Sequence, residues 1–174
     1  MKILIAYATT DGQTRKIARY CADYLVDHGH TVELITARDA APLDLTRFDR
    51  AVLAGSIHAG GFQKDLHDLA EAHAAELSQK DAIFLAVSLT AAGTDADDWK
   101  GLRKCIARFE DETEWVPARV VHVAGAFRFS EYDFFRAWAM RRIAAERDET
   151  VDTHADKEYT DWDALAAEMD RLVA

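Results

Sequence analysis

Short apolar segments alternate with amphipathic segments along this chain, and that alternation limits the fold more than any other feature of the sequence. The apolar segments have the length of β-strands and are Lys2 to Ala8, Thr31 to Thr36, Arg50 to Gly55, Ala82 to Leu89 and Arg119 to Ala126. Several are apolar on both faces, which is typical of parallel strands covered on two sides. The alternation therefore predicts an α/β fold, a doubly wound five-stranded parallel sheet with helices on both faces.

The amphipathic segments carry apolar residues at helical spacing. The stripes comprise Ile17, Cys21, Tyr24, Leu25 and His28; Phe62, Leu66, Leu69, Ala70, His73 and Leu77; a pattern between Asp97 and Phe109; and Trp162, Leu165, Ala166, Met169 and Leu172. The chain has 174 residues and no segment with the composition of a linker. We therefore expect a single domain over residues 1–174.

Charge and cysteine content limit the partners and the compartment. The formal net charge of -10 argues against general binding of nucleic acid, whose phosphates would be repelled. Cys21 and Cys105 are the two cysteines, too few for a disulfide framework in a chain of this length. No signal peptide is evident at the start, and no apolar run reaches the roughly 18 residues that a membrane span needs. The sequence predicts a cytoplasmic protein with no metal site, because His67 and His73 are badly spaced to share a metal.

The first predicted strand ends in a segment suited to an anion. Thr9, Thr10, Asp11, Gly12, Gln13 and Thr14 follow it directly. Doubly wound sheets bind ligands at the carboxyl ends of their strands, and hydroxyls, a glycine and a helix N-terminus together suit a phosphate. The segment is neither a Walker loop nor the three-glycine dinucleotide turn. The alternative is an ordinary strand-to-helix turn in which the threonines cap the helix.

A series of short motifs in one order resembles a known family. They are Thr9-Thr-Asp-Gly-Gln-Thr14, Gly55-Ser-Ile-His-Ala-Gly60, Trp115-Val-Pro-Ala-Arg119, Ala124-Gly-Ala-Phe-Arg-Phe129, Glu149-Thr-Val-Asp-Thr153 and Tyr159-Thr-Asp-Trp162. The first is similar to the phosphate loop of flavodoxins, and the whole series resembles the flavodoxin-like protoporphyrinogen oxidase family of bacteria. Asp11 stands where flavodoxins usually carry Thr or Ser, so its carboxylate should turn away from a phosphate, for instance to cap the helix.

The resemblance implies FMN as the cofactor, with its phosphate in the first loop. Its ring would lie between the loops after the third and fourth strands. The candidates for contact with the ring and the ribityl chain are Ser56, Ile57, His58, Gly60, Ser88, Leu89, Thr90 and Gly93. His58 is the candidate proton partner, since imidazole titrates near neutrality, and the alternative is a surface loop histidine.

Residues 128–153 form a predicted insertion after the fifth strand. A minimal flavodoxin would pass directly from this strand into its last helix. Residues 128–147 have a net charge of +2 within the acidic chain, with aromatic residues interleaved. A basic amphipathic helix suits an anionic membrane or a flat carboxylated substrate. The candidates for contact with substrate or membrane are Arg128, Arg136, Trp138, Arg141 and Arg142. The alternative is a packing helix whose aromatic residues enter the core and whose arginines are solvated.

The resemblance also implies an activity: oxidation of protoporphyrinogen IX to protoporphyrin IX in heme biosynthesis, with electrons passed to a quinone, menaquinone. It would place the protein in the cytoplasm with peripheral contact to the cytoplasmic face of the inner membrane. Two other classes share fold and cofactor, a flavodoxin-type electron carrier and an FMN-dependent quinone or small-molecule reductase. A non-catalytic binding module would leave the phosphate loop without a purpose.

Overall fold

A computed structural model of the chain describes residues 1–127 and 157–174. The whole predicted insertion, residues 128–153 with Arg128, Arg136, Trp138, Arg141 and Arg142, therefore lies outside the described residues. Within the two described ranges, no helix has both the length and the apolar character needed to cross a membrane.

The central element is a parallel sheet of five strands, as predicted. The strands are β1 (Lys2–Ala8), β2 (Thr31–Thr36), β3 (Arg50–Ser56), β4 (Ile83–Ser88) and β5 (Arg119–Ala124). Their order is β2-β1-β3-β4-β5, with every neighbouring pair parallel. This is the flavodoxin-like doubly wound order, in which the winding reverses between β1 and β3.

Helices cover both faces of this sheet. They are α1 (Gln13–Asp27), α2 (Ala37–Ala40), α3 (Lys64–Ala72), α4 (Ala74–Gln79), α5 (Ala96–Thr113) and α6 (Trp162–Val173), with short 3-10 turns at Leu45–Arg47 and Thr90–Ala92. Asp95, a residue type favoured at N-caps, caps α5, because its carboxylate accepts from the amides of Asp97 and Asp98 at 3.0 Å. Asp161 caps α6 in the same way through the amide of Ala164.

Two apolar cores result from the alternation of side chains along each strand. Leu4 and Ala6 of β1 belong to the core that α3, α4 and α5 cover, whereas Ile3 and Ile5 belong to the core under α1 and α6. Cys21 of α1 is fully buried in the second core, and burial raises the pKa of its thiol to about 12. This cysteine is therefore a packing residue rather than a reactive one.

The predicted fifth strand is two residues too long. β5 ends at Ala124, and Gly125 instead donates its amide to the Ser88 carbonyl at 3.0 Å. The chain then leaves the sheet, because Ala126–Phe127 (β6) pairs antiparallel with Lys157–Glu158 (β7). The apolar run thus continues beyond β5, to where the chain pairs with β7 instead of β4. The composition of the run does not indicate this change of partner.

The predicted stripe from Phe62 to Leu77 is two helices rather than one. α3 and α4 are separated at His73, whose backbone departs from helical geometry at φ -124° and ψ 22°. The His73 ring lies 2.8 Å through Nε2 from the Ala41 carbonyl, so the side chain is held by the segment after α2. This contact favours the break without changing the apolar spacing on either side.

Candidate functional site

The three loops that the sequence singled out follow β1, β3 and β4, which are neighbours in the sheet. Because these strands are parallel, their carboxyl ends lie at one edge and the loops come together there. Gln63 joins two of them, since its Nε2 donates to Thr10 Oγ1 at 3.1 Å and to Ser56 Oγ at 2.7 Å. The amide of Ile57 donates to the Val87 carbonyl at 2.9 Å and connects the second loop to β4.

The first loop is built around a glycine in the left-handed conformation. Gly12 has φ 89° and ψ -12°, and its amide donates to Thr9 Oγ1 at 2.9 Å. A residue with a β-carbon would be strained at this φ, so the glycine is a requirement of the turn. Gly12 is itself the N-cap residue of α1, and no side chain among the described residues caps this helix. The predicted capping by Asp11 is therefore not found. The one threonine contact at this end, from the Gly12 amide to Thr9 Oγ1, leaves the amides of the first turn of α1 without a side-chain cap among the described residues.

Thr14 provides the most specific sign of an anion site. It lies in the first turn of α1 and is 1% exposed, yet its Oγ1 has no hydrogen-bond partner within residues 1–127 and 157–174. Buried hydroxyls are normally hydrogen-bonded, and one left alone is costly. The first amides of an uncapped helix also lack helical partners, and they carry the positive end of the helix dipole. An anion bound at the start of α1 would satisfy both, and a phosphate ester fits this set of donors.

The side chain of Gln13 contacts other protein residues rather than the predicted phosphate. Its Nε2 donates to Thr160 Oγ1 at 3.0 Å and to Glu158 Oε2 at 3.1 Å, so the side chain contacts the returning C-terminal segment. Lys16 Nζ lies 2.5 Å from the same Glu158 oxygen. Gln13 can therefore contribute to a ligand in the first loop through its backbone rather than its side chain.

Glu158 joins α1 to the start of α6. Besides the contacts with Gln13 and Lys16, its Oε1 accepts from Trp162 Nε1 at 3.1 Å. Burial acts to raise the pKa of Glu158, but the hydrogen bonds from Lys16 and Gln13 outweigh it and the pKa is lowered. The carboxylate is therefore held in its charged form beside the first loop. Sequence reasoning missed this cluster, because Gln13 and Glu158 are 145 positions apart.

The second loop contains a tight turn at His58-Ala59-Gly60-Gly61. The amide of His58 donates to the Gly61 carbonyl at 2.8 Å, and the amide of Gly61 donates to the His58 carbonyl at 3.1 Å. Both central residues have positive φ, 48° at Ala59 and 79° at Gly60. This is the primed geometry of a two-residue hairpin loop, for which Gly60 is well suited.

The third loop begins at the end of β4 and includes a 3-10 turn. Ser88 is 8% exposed, and its Oγ accepts from the amide of Ala91 at 3.2 Å. Leu89 precedes the turn Thr90–Ala92, and the amide of Gly93 donates to the Thr90 carbonyl at 3.0 Å. The predicted residues of this loop therefore lie next to those of the second loop, at the same edge of the sheet.

A cavity of about 390 Å³ lies beside the first loop and contacts α2 and α3. Its lining includes Thr9 and Gln63, together with the ion pair of Arg38 and Asp65 at 3.2 Å. Its lining within the described part of the chain includes no residue of the third loop.

Comparison with known proteins agrees with the motifs. Two curated relatives, from Escherichia coli (strain K12) and Leishmania major, are both named protoporphyrinogen IX dehydrogenase (quinone). The first is 28% identical over 95% of this chain and 91% of that protein, and the second is 28% identical over 94% and 71%. The predicted family resemblance is confirmed.

Solved flavodoxins share the fold. Oxidised flavodoxin 2 from Bacillus cereus superposes with a TM-score of 0.53 at 21% identity, over 85% of this chain and all of that chain. A mutant flavodoxin from Pseudomonas aeruginosa gives a TM-score of 0.52 at 16% identity, over 84% of this chain and 96% of that chain. The model of the family described as flavodoxin domain matches residues 4–154. The chain therefore belongs to the flavodoxin domain family, and FMN is the cofactor that this membership gives it.

Proposed function

We propose that this protein is an FMN-dependent oxidoreductase that oxidises protoporphyrinogen IX to protoporphyrin IX in heme biosynthesis and passes the electrons to menaquinone. The observation that carries the proposal is the similarity, over 95% of the chain, to a protein named protoporphyrinogen IX dehydrogenase (quinone). The oxidation would remove six electrons and six protons from the porphyrinogen, and three quinones would each take up two of both and become quinols.

The first loop is the proposed phosphate site. Thr14 supplies the buried hydroxyl, Gly12 gives the turn its shape, and the amides at the start of α1 supply further donors. Thr9, Thr10 and Asp11 complete the loop, and Gln13 takes part through its backbone. The carboxylate of Asp11 does not cap α1, so we propose that it faces solvent and leaves the phosphate to the amides.

The second and third loops are the proposed ring and ribityl site. Ser56 and Ser88 both accept a hydrogen bond through Oγ within the described part of the chain, so each hydroxyl can still donate its own hydrogen to a ligand. The other proposed contacts are Ile57, His58, Gly60, Leu89, Thr90 and Gly93. Flavin ring carbonyls and ribityl hydroxyls are acceptors that suit such donors.

When bound, FMN supplies the electron transfer, while the protein positions the reactants and excludes competing reactions. His58 is the proposed proton partner, because it stands in the second loop and an imidazole side chain can both donate and accept a proton. Replacing it with Gln should slow turnover by a larger factor than it weakens FMN binding.

The insertion is the proposed contact for substrate and membrane. Its arginines Arg128, Arg136, Arg141 and Arg142 could pair with carboxylates, and Trp138 could cover an apolar ring. The described residues on either side of it support a substrate contact near the first loop. Phe127 pairs with Lys157, and the adjacent Glu158 accepts a hydrogen bond from Gln13 at the start of α1.

The test is an anaerobic assay of the FMN-loaded protein with protoporphyrinogen IX and a menaquinone analogue. We expect protoporphyrin fluorescence to appear only when both FMN and the quinone are present. A protein that forms no protoporphyrin, but exchanges electrons readily with a reduced partner protein, would instead be a flavodoxin-type carrier. Bleaching of the flavin by a reduced nicotinamide cofactor would instead indicate a small-molecule reductase.

A further inference from the structure

Helix α5 binds both of the loops that flank the proposed ring site, and it does so through one glycine carbonyl in each. Trp99 Nε1 donates to the Gly93 carbonyl at 2.8 Å. Further along the helix, the Arg108 guanidinium and the Cys105 thiol both donate to the Gly60 carbonyl, the thiol at 3.2 Å. A single helix thus contacts the loop after β3 and the loop after β4.

The contact at Gly60 stabilises a turn that is locally unfavourable. Ala59 has a side chain and yet a φ of 48°, a conformation that L residues rarely adopt. Such a turn persists when its surroundings fix it. Gly61 leaves room for the contact, because a β-carbon there would lie 3.3 Å from the Arg108 guanidinium.

Phe62 attaches the same loop to α5 a second time. Its ring lies 5.2 Å from that of Phe109 of α5 and 4.9 Å from that of Phe84 of β4, both edge-on. Phe84 and Phe109 are buried in the core. The second loop is therefore held by a core contact at Phe62 and by the Arg108 hydrogen bond at its tip.

Trp99 is itself held from the opposite side. Its ring meets His122 of β5 edge-on, with 5.2 Å between centroids. Burial and the nearby charge of Arg103 lower the pKa of His122, so this imidazole is neutral at pH 7. The indole is thus fixed between β5 and the Gly93 carbonyl.

We propose that Trp99 and Arg108 are positioning residues that set the spacing of the second and third loops and so the fit of the flavin ring. This inference rests on the proposed function, because it takes the ring to lie between these loops. Both donors project from one continuous helix, so the spacing of the two glycine carbonyls follows the spacing of the two side chains. The described residues show no hydrogen bond between α5 and the first loop, so the effect should fall on the ring and not on the phosphate.

The experiment titrates apo protein separately with FMN and with riboflavin, which shares the ring and lacks the phosphate. Arg108→Met should weaken both affinities by the same factor, about tenfold for one charge-assisted hydrogen bond. Trp99→Phe, which keeps the ring against His122 and removes the donor, should do likewise. Arg108→Lys can still donate to the Gly60 carbonyl and should recover most of the affinity for both ligands.

Lys104→Met is the matched control, since it removes the same charge from an exposed position of α5. It should leave both affinities and the absorption spectrum of the bound flavin unchanged, whereas Arg108→Met should shift that spectrum. Unchanged affinities in Arg108→Met and Trp99→Phe, a loss confined to FMN, or an equal loss in Lys104→Met would each overturn the positioning role. Equal affinity of the native protein for FMN and riboflavin would instead contradict the proposed function.

Discussion

Replacing Thr14 with Val should stabilise the apo protein and weaken FMN binding. The Thr14 hydroxyl is buried without a partner among the described residues, and such a group costs about 1 to 3 kcal/mol. Val has nearly the same shape and a similar helix propensity, so the substitution removes this cost and little else. We expect a gain of about 1 kcal/mol in the free energy of unfolding, or about 2 to 4 °C in melting temperature for a chain of this size.

The same substitution should remove one donor from the phosphate. A hydrogen bond to a charged group contributes about 1.5 to 3 kcal/mol, so FMN affinity should fall by about 10-fold to 150-fold. Riboflavin affinity should not change, because riboflavin has no phosphate. Fluorescence titration with both flavins and thermal melts of the apo protein on one preparation give all three numbers.

Thr113 offers a matched control. It is also fully buried, but its hydroxyl donates to the Phe109 carbonyl at 2.8 Å and accepts from the amide of Trp115 at 3.4 Å. Thr113→Val should therefore destabilise the protein by about 1 kcal/mol and leave the ratio of FMN to riboflavin affinity unchanged. The reasoning is refuted if Thr14→Val destabilises the apo protein as Thr113→Val does, or if it weakens riboflavin as much as FMN.

Four further perturbations test other parts of the account. Gly12→Val should destabilise the protein by about 1 to 2 kcal/mol and weaken FMN binding, because φ is 89° at this position. Gly12→Asn should destabilise the protein less, and equal losses of unfolding free energy in the two variants, measured by denaturant unfolding, would contradict this. Glu158→Gln should cost up to about 1 kcal/mol near pH 7. Since the folded pKa of Glu158 is lowered, its contribution is present above the unfolded value of about 4.3 and is lost as the pH falls through the folded value, so the difference should diminish as the pH is lowered below the unfolded value. A difference that does not change with pH would show another cause. Arg141→Glu combined with Arg142→Glu should abolish porphyrinogen oxidation and leave FMN bound, and survival of turnover would remove the proposed substrate role. Trp138→Ala should likewise abolish porphyrinogen oxidation and leave FMN bound. A loss of about 3 to 5 kcal/mol in the free energy of unfolding would instead indicate a packing helix.

The strands and the first loop could be predicted from the sequence because their signals are local. β1 and β2 have the predicted bounds, because the apolar run of β1 ends at the glycine-containing first loop and that of β2 begins just after the turn at Gly29. Gly12 and the threonines around it are recognisable for the same reason. That three loops meet at one edge follows from parallel pairing alone.

The contacts that join the loops could not be predicted, because they depend on tertiary packing. Gln63 contacts Thr10 across 53 positions, and nothing near Gln63 in the sequence indicates it. Arg108 and Trp99 occupy ordinary positions on a helix, and their role depends on where two glycine carbonyls come to lie. The break at His73 likewise depends on the distant Ala41 carbonyl.

The central claim is that FMN in this protein carries electrons from protoporphyrinogen IX to a quinone. Its most direct test is single-turnover spectroscopy under anaerobic conditions, in which the FMN-loaded protein is mixed first with protoporphyrinogen IX and then with a menaquinone analogue. We predict that the flavin bleaches in the first mixing and that its colour returns in the second. Protoporphyrin fluorescence should appear only after the quinone is added, because the oxidation removes six electrons and one FMN accepts two at a time. A flavin that stays oxidised in the presence of protoporphyrinogen IX, in protein that binds FMN more tightly than riboflavin, would contradict the account.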